Sequence, residues 1–165
     1  HNVSSAASDV YKRQIINMAD LVTTISESVT LNSAVRGSSN SVTTTGINNV
    51  MERIVTCING NITTIATFAT APHTSAGAID VENVRYVRVT NLDTTNSIEL
   101  AIVTTATNYQ VTLTGGNSHI LSIGEEVAIG EEDTTPAFGT LEDLASLQVK
   151  PKTADTQVEL FVGLV

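Results

Sequence analysis

One segment of this 165-residue chain is dense in side chains that could bind a metal ion. Its sequence is GEEVAIGEED, and its acidic members are Glu125, Glu126, Glu131, Glu132 and Asp133. Carboxylate oxygens on a loop that contains glycine are the kind of ligand that calcium prefers. The segment lacks the alternating acidic spacing of a standard calcium-binding loop, however. It is therefore a calcium candidate, for which a solvated acidic turn is the simpler interpretation.

Other types of catalytic or metal site have little support. A glycosidase also needs paired carboxylates, but it stacks sugars on aromatic rings, and this chain has three Tyr, three Phe and no Trp. His73 and His119 have no partner at a zinc-ligand spacing, and no Gly-x-Ser-x-Gly motif is present. Cys57, the single cysteine, has apolar neighbours and is expected to be a buried, unreactive thiol. We therefore expect no enzymatic activity.

Charge and hydropathy restrict the classes of partner. The formal net charge is −9, whereas nucleic-acid binding by counterion release needs clustered Lys and Arg, so no nucleic-acid partner is expected. No apolar run is long enough to cross a bilayer, so no membrane partner is expected either. Arg85 and Arg88 are three residues apart on a predicted strand and would point to opposite faces. One of them is thus a candidate for an interface or a buried ion pair, with exposed cations on an edge strand as the alternative.

The start of the chain differs in character from the rest. Residues 1–14, HNVSSAASDVYKRQ, resemble the peptide obtained when sequencing-adapter DNA is translated at the front of a reading frame. Met18 then reads as the natural start, so we interpret 1–17 as a non-native or disordered leader and 18–165 as a single domain. No apolar segment of signal-peptide type follows Lys12 and Arg13. The prediction is synthesis in the host cytoplasm without a signal peptide.

Alternating apolar residues and turn residues predict strands along most of the chain. Residues 84–103 read as two strands joined by a polar turn, and Asn59-Gly60-Asn61 predicts a hairpin between 50–58 and 62–68. A Gly-Gly-Asn turn predicts another hairpin between 109–114 and 119–123. We also expect a loop at 32–40 and a single helical turn at 140–147.

Nine or ten short strands follow from this pattern. Their turn signals recur at roughly ten-residue intervals, and the apolar residues are mainly Val, Ile and Leu. Aliphatic side chains of this kind fill the space between two packed sheets. The prediction is an all-β fold, an antiparallel β-sandwich of jelly-roll-like type.

The order of elements from residue 84 onward resembles that of small virion structural proteins of marine tailed bacteriophages. The shared pattern is a strand ending in Thr-Asn-Leu-Asp at residues 90–93, a strand leading to a Leu-x-Gly-Gly type turn at residues 113–116, and the terminal strand QVELFVGLV. The resemblance implies a capsid decoration, cement or fibre-associated role in the virion. It also implies capsid or tail proteins as partners and a homo-oligomer, often a trimer.

A second hypothesis is a carbohydrate- or ligand-binding β-sandwich module. Its working parts would be a concave sheet face and calcium bound at 125–133. The two hypotheses differ in solution, because the first predicts a defined oligomer and the second a monomer whose melting temperature rises with calcium.

Overall fold

The computed structural model describes residues 18–132 and 134–165, and β-strands account for most of them. Two single turns of 3-10 helix, Pro72–Thr74 and Val81–Asn83, complete the regular structure of these ranges. The predicted all-β class is confirmed, and no helix within the described ranges is long and apolar enough to cross a membrane. The predicted leader at 1–17 lies outside the described residues.

The strands are β1 (Ala19–Ser26), β2 (Val29–Leu31), β3 (Ala34–Arg36), β4 (Ser39–Ile47), β5 (Asn49–Cys57), β6 (Thr63–Ala69), β7 (Ile79–Asp80), β8 (Val84–Asn91), β9 (Ile98–Thr104), β10 (Asn108–Leu113), β11 (Ser118–Leu121), β12 (Leu144–Pro151) and β13 (Thr156–Leu164).

Two sheets form the body of the protein. Sheet I has the strand order β11-β8-β13-β5, and sheet II has the order β10-β9-β12-β6, with the two-residue β7 added in parallel to β6. If the eight main body strands are numbered in chain order from β5, sheet I reads 6-3-8-1 and sheet II reads 5-4-7-2. This is the strand order of a jelly roll, in which a sandwich is wound from two Greek keys.

The core lies between the inner faces of the two sheets. Successive side chains of a strand point to opposite faces, so each body strand gives every second residue to the core. Each fully buried aliphatic side chain contributes about 1.5–3 kcal/mol to stability. Cys57 is also completely buried, as predicted. Examples of completely buried side chains from the two sheets are Ile98, Leu100 and Ile102 of β9 and Val158, Leu160 and Val162 of β13.

The predicted hairpins within the body are wrong in their strand pairing. The turn at Asn59-Gly60 joins β5 of sheet I to β6 of sheet II, and the same crossing occurs from β8 to β9 and from β10 to β11. Each of these connections is a β-arch: the two strands that it joins lie in different sheets, and their apolar side chains face each other across the core. The same turn residues reverse the chain in a hairpin and in an arch. A true body hairpin instead joins β9 and β10.

The predicted helical turn at 140–147 is also wrong. Leu144 and Leu147 are both buried although they are three residues apart, a spacing that in a regular strand would put them on opposite faces. An irregularity in the pairing of β12 with β9 between Leu144 and Ser146 allows both side chains to reach the core from an extended strand. Glu142 pairs with Ala128 in an isolated β-bridge just before the strand.

The first four strands form a long hairpin, which we call the arm (Ala19–Ile47). β1 pairs with β4 along its length and β2 pairs with β3. At the tip, Asn32 and Ser33 have φ of 50° and 64°, and two positive values in succession match a type I′ turn. The expected loop at 32–40 is therefore largely the distal part of this hairpin. Thirteen strands are present in the described ranges, against nine or ten predicted, partly because β2 and β3 belong to the arm.

Candidate functional site

The acidic segment lies at the surface. Glu125, Glu126, Glu131 and Glu132 are exposed, and Asp133 lies outside the described residues. The carboxylate of Glu131 accepts a hydrogen bond from the Ala137 N–H at 3.3 Å. Within 18–132 and 134–165, no three His, Cys, Asp or Glu side chains come together as a metal-binding group. Calcium binding by this segment stays a prediction.

Two acidic side chains with a lowered pKa stabilise turns. Glu142 accepts hydrogen bonds from the Thr104 hydroxyl and from the Ala106 N–H, and these bonds lower its pKa. The Asp93 carboxylate accepts from the N–H groups of Thr95 and Asn96 at 2.7 and 2.6 Å, which lowers the pKa of Asp93 in the same way. Both carboxylates are engaged by the backbone of a nearby turn, so their shifted pKa values have a structural cause.

The histidine of β11 belongs to the sandwich. His119 Nε2 lies 3.4 Å from the Tyr109 hydroxyl of β10, and burial lowers the pKa of His119 and raises that of Tyr109. Burial also raises the pKa of the Cys57 thiol. A buried thiol with a raised pKa is a poor nucleophile, because the thiolate is the reactive form.

One depression in the described surface has a volume typical of a ligand site. It measures about 640 Å³, lies beside the start of β5 and is lined by Asn49, Glu52, Asp80 and neighbouring residues. A smaller one of about 260 Å³ lies on the outer face of sheet II near Gln148, and its lining contains no aromatic ring. Neither lining includes a histidine or cysteine.

The two predicted interface arginines have different environments. Arg88 is paired with Ile120 of β11 on one side and Phe161 of β13 on the other, so it is not an edge-strand cation, whereas Arg85 lies beyond the part of β8 that pairs with β11. Arg88 forms an ion pair of 2.8 Å with Glu159 of β13, and its guanidinium carbon lies 5.9 Å from the centre of the Phe161 ring. Arg85 donates instead to the backbone carbonyls of Glu82 and Val84 at 2.7 and 3.0 Å.

The arm presents the most unusual surface among the described residues. With 13 residues from the start of β1 to the end of β2, it is long enough to reach about 40 Å. Monomeric soluble proteins rarely present so many aliphatic side chains together. The arm residues in question are aliphatic and each more than half exposed: Val22, Ile25, Val29, Leu31, Val35 and Val42.

The base of the arm packs on the outer face of sheet I. A Cβ placed on Gly163 of β13 would lie 3.5 Å from Leu21 Cδ2 and 3.5 Å from Ile47 Cδ1, which are ordinary van der Waals distances, so the base of the arm lies directly over this residue. Residues 21–24 of β1 then face Tyr86 and Phe161 across a shallow groove of about 280 Å³. We call this contact of the arm base with sheet I the seat of the arm. Beyond the seat, the arm strands pair only with each other.

The local sequence pattern does not distinguish the arm from a strand of the body. Residues 21–31 alternate loosely, as a half-buried strand does. Charge is the feature that sets the arm apart. Only Asp20, Glu27 and Arg36 are charged between residues 18 and 47, whereas residues 48–165 hold fourteen acidic and five basic side chains.

Comparison with protein-family models, with curated proteins and with solved structures finds no match to this chain.

Proposed function

We propose that this protein is a non-enzymatic structural component that acts by assembling with copies of itself through the arm. The observation that carries the proposal is the set of six exposed aliphatic side chains on the arm. A two-stranded ribbon is marginally stable in water unless further strands or a packed face support it. Covering the arm therefore stabilises it and removes apolar surface from water.

The exposed aliphatic side chains of the arm lie on both of its sides. Alternation puts Val22 on the side opposite Ile25. Register puts Val35 on the side opposite Val29 and Leu31. A partner that covers the arm can therefore remove apolar surface from water on either side of the ribbon.

The resemblance and the fold support a virion setting for this assembly. Jelly rolls recur in viral capsid proteins, and also in lectins and cupins, so the fold is compatible with several roles. The resemblance favours a capsid decoration, cement or fibre-associated protein of a tailed bacteriophage, with capsid or tail proteins as partners. Decoration proteins occupy symmetric sites, which suits a closed oligomer such as a trimer. Capsid, portal or tail genes beside this reading frame would support the assignment, and a metabolic operon would oppose it.

The test of the proposal is the mass of residues 18–165 in solution. Size-exclusion chromatography with light scattering should give a defined oligomer. A variant with V29T, L31T and V35T in the arm should give a lower mass, since threonine keeps the strand propensity and removes apolar area. Ile123→Thr, which alters an exposed aliphatic residue outside the arm, is the control and should leave the mass unchanged.

The outcome that would contradict this proposal is a wild-type monomer at all concentrations. A monomer whose melting temperature rises by several degrees with calcium would instead favour the ligand-binding module and the acidic segment at 125–133.

A further inference from the structure

The outer face of sheet I carries exposed apolar residues beside the seat of the arm. Register places Ile54 of β5 opposite Glu159 and Val50 opposite Gly163, so both side chains lie on the same face as Phe161. Ile54 is 60% exposed and Val50 is 48% exposed. We call this surface the docking face, and its members are Val50, Glu52, Ile54, Arg88, Glu159 and Phe161.

Within one chain, the base of the arm already packs on this kind of surface. Leu21 and Thr23 are half-buried against sheet I, and they belong to one side of the arm. Alternation puts Ile25 on the same side as Leu21 and Thr23. Register places Val42 opposite Thr23, so Val42 also lies on this side. Ile25 and Val42 are nevertheless more than half exposed, so the side that packs on the body continues outward without a cover.

Charge favours contact between these two surfaces in particular. The body is strongly acidic, with fourteen acidic and five basic side chains from residue 48 onward, so two bodies repel each other. The arm has only three charged side chains between residues 18 and 47. On the docking face, Arg88 and Glu159 form an ion pair of 2.8 Å, which leaves the exposed Glu52, opposite Phe161 and between Val50 and Ile54, as an uncompensated charge. Both surfaces therefore carry much less net charge than the body as a whole.

We infer that the exposed side of the arm in one copy, centred on Ile25 and Val42, docks on the docking face of a second copy, around Ile54. The inference rests on the proposed function and specifies its interface. The occupant is a second copy because both halves of the contact are present in this chain. The packing of Leu21 near Gly163 shows that this side of the arm fits this side of the sheet. In the assembly, Ile25 and Val42 would pack on the outer face of sheet I of the second copy, as Leu21 packs on that face within its own chain.

The test uses one variant on each side of the contact. Val42→Glu places a charge on the arm and Ile54→Glu places one on the docking face, and both positions are exposed, so the fold of each chain should persist. Ile62→Glu, at another exposed aliphatic residue away from both surfaces, is the matched control. Circular dichroism checks the fold of each variant. Light scattering should show that both interface variants dissociate at concentrations at which the wild type and the control are assembled.

Mixing the two variants identifies the contact. The Ile54→Glu chain retains an intact arm and the Val42→Glu chain retains an intact docking face, so an equimolar mixture should form a species of two chains. Ile25→Glu, a second arm variant, should replace Val42→Glu in this mixture with the same result.

Two other results would overturn the inference in distinguishable ways. If the wild type assembles and Ile54→Glu assembles equally well, with no complementation in the mixture, the arms contact each other and the docking face is not used. If the wild type is a monomer, the proposed function fails as well.

Discussion

Replacing Asn91 tests how the turns at one end of the sandwich are held together. Asn91 is completely buried, and its Nδ2 donates to the carbonyl oxygens of Asn96 and Leu113 at 2.8 and 3.1 Å. Its Oδ1 accepts from the Asp93 N–H at 3.1 Å. One side chain thus joins the end of β8 to the turn before β9 and to the end of β10.

The expected cost of Asn91→Ala follows from these three hydrogen bonds. Each contributes about 1 kcal/mol net, and the buried carbonyl of Leu113 also loses a partner, so the free energy of unfolding should fall by about 3–4 kcal/mol. Asn91→Asp should cost more at neutral pH, because an ionised carboxylate would face two carbonyl oxygens. That additional cost should shrink as the pH falls towards the ordinary carboxyl pKa and the new side chain is protonated.

Urea unfolding followed by circular dichroism measures these changes. All variants must be compared at one protein concentration, because assembly of the folded state raises apparent stability. Asn117→Ala is the control: this asparagine is exposed, its amide bonds mainly Thr114 in its own turn, and its loss should cost less than 1 kcal/mol. A loss below about 1 kcal/mol for Asn91→Ala, or an equal loss for the control, would refute the reasoning.

Further predictions concern stability and its dependence on pH. Gly163→Ala should raise the free energy of unfolding by about 0.4–1 kcal/mol, since its Cβ makes ordinary contacts with Leu21 and Ile47. Gly124→Ala should lower the free energy of unfolding by about 1–3 kcal/mol, because the added Cβ would lie 2.8 Å from the Val81 carbonyl oxygen. If urea unfolding showed the same change for the two glycine variants, both of these predictions would be wrong. Burial lowers the pKa of His119 below its ordinary 6.5, so its contribution to stability is complete above pH 6.5 and is lost as the pH falls through the lowered pKa. His119→Phe should therefore flatten the change in unfolding free energy between about pH 7 and pH 5, and an unchanged slope would contradict this cause.

The strands of the body were predictable because their sequence pattern and their packing agree. In β9, Ile98, Leu100 and Ile102 alternate with less buried residues, and the structure buries these three completely. The apolar neighbours of Cys57 likewise predicted its burial correctly. These features depend on local alternation and on the hydrophobic effect, and both can be read from neighbouring residues.

The pairing of those strands was not predictable from turn chemistry. Asn59-Gly60 reverses the chain direction whether the next strand lies beside the previous one or across the core from it. Which arrangement forms depends on contacts between residues far apart in sequence, such as the pairing of β5 with the terminal β13. Turn residues carry no information about such partners.

The arm escaped prediction for a related reason. Val22 and Ile25 occur in a stretch that would suit a half-buried strand, and nothing in the local pattern shows that the second layer is absent. The scarcity of charge between residues 18 and 47 of an acidic chain is the feature that could have marked this segment as a contact surface.

Hydrogen exchange of the arm at two protein concentrations shows whether the arm forms the contact between copies of the chain. At a concentration where light scattering shows an oligomer, backbone amides of residues 22–42 should exchange more slowly than in a dilute sample of single chains, because docking protects the arm. Amides of the body turn at residues 114–117, which lies at the surface and exchanges through local opening, should exchange at the same rate in both samples. Exchange of the arm that is fast and independent of concentration, in a protein that assembles, would contradict the claim that the arm forms the contact.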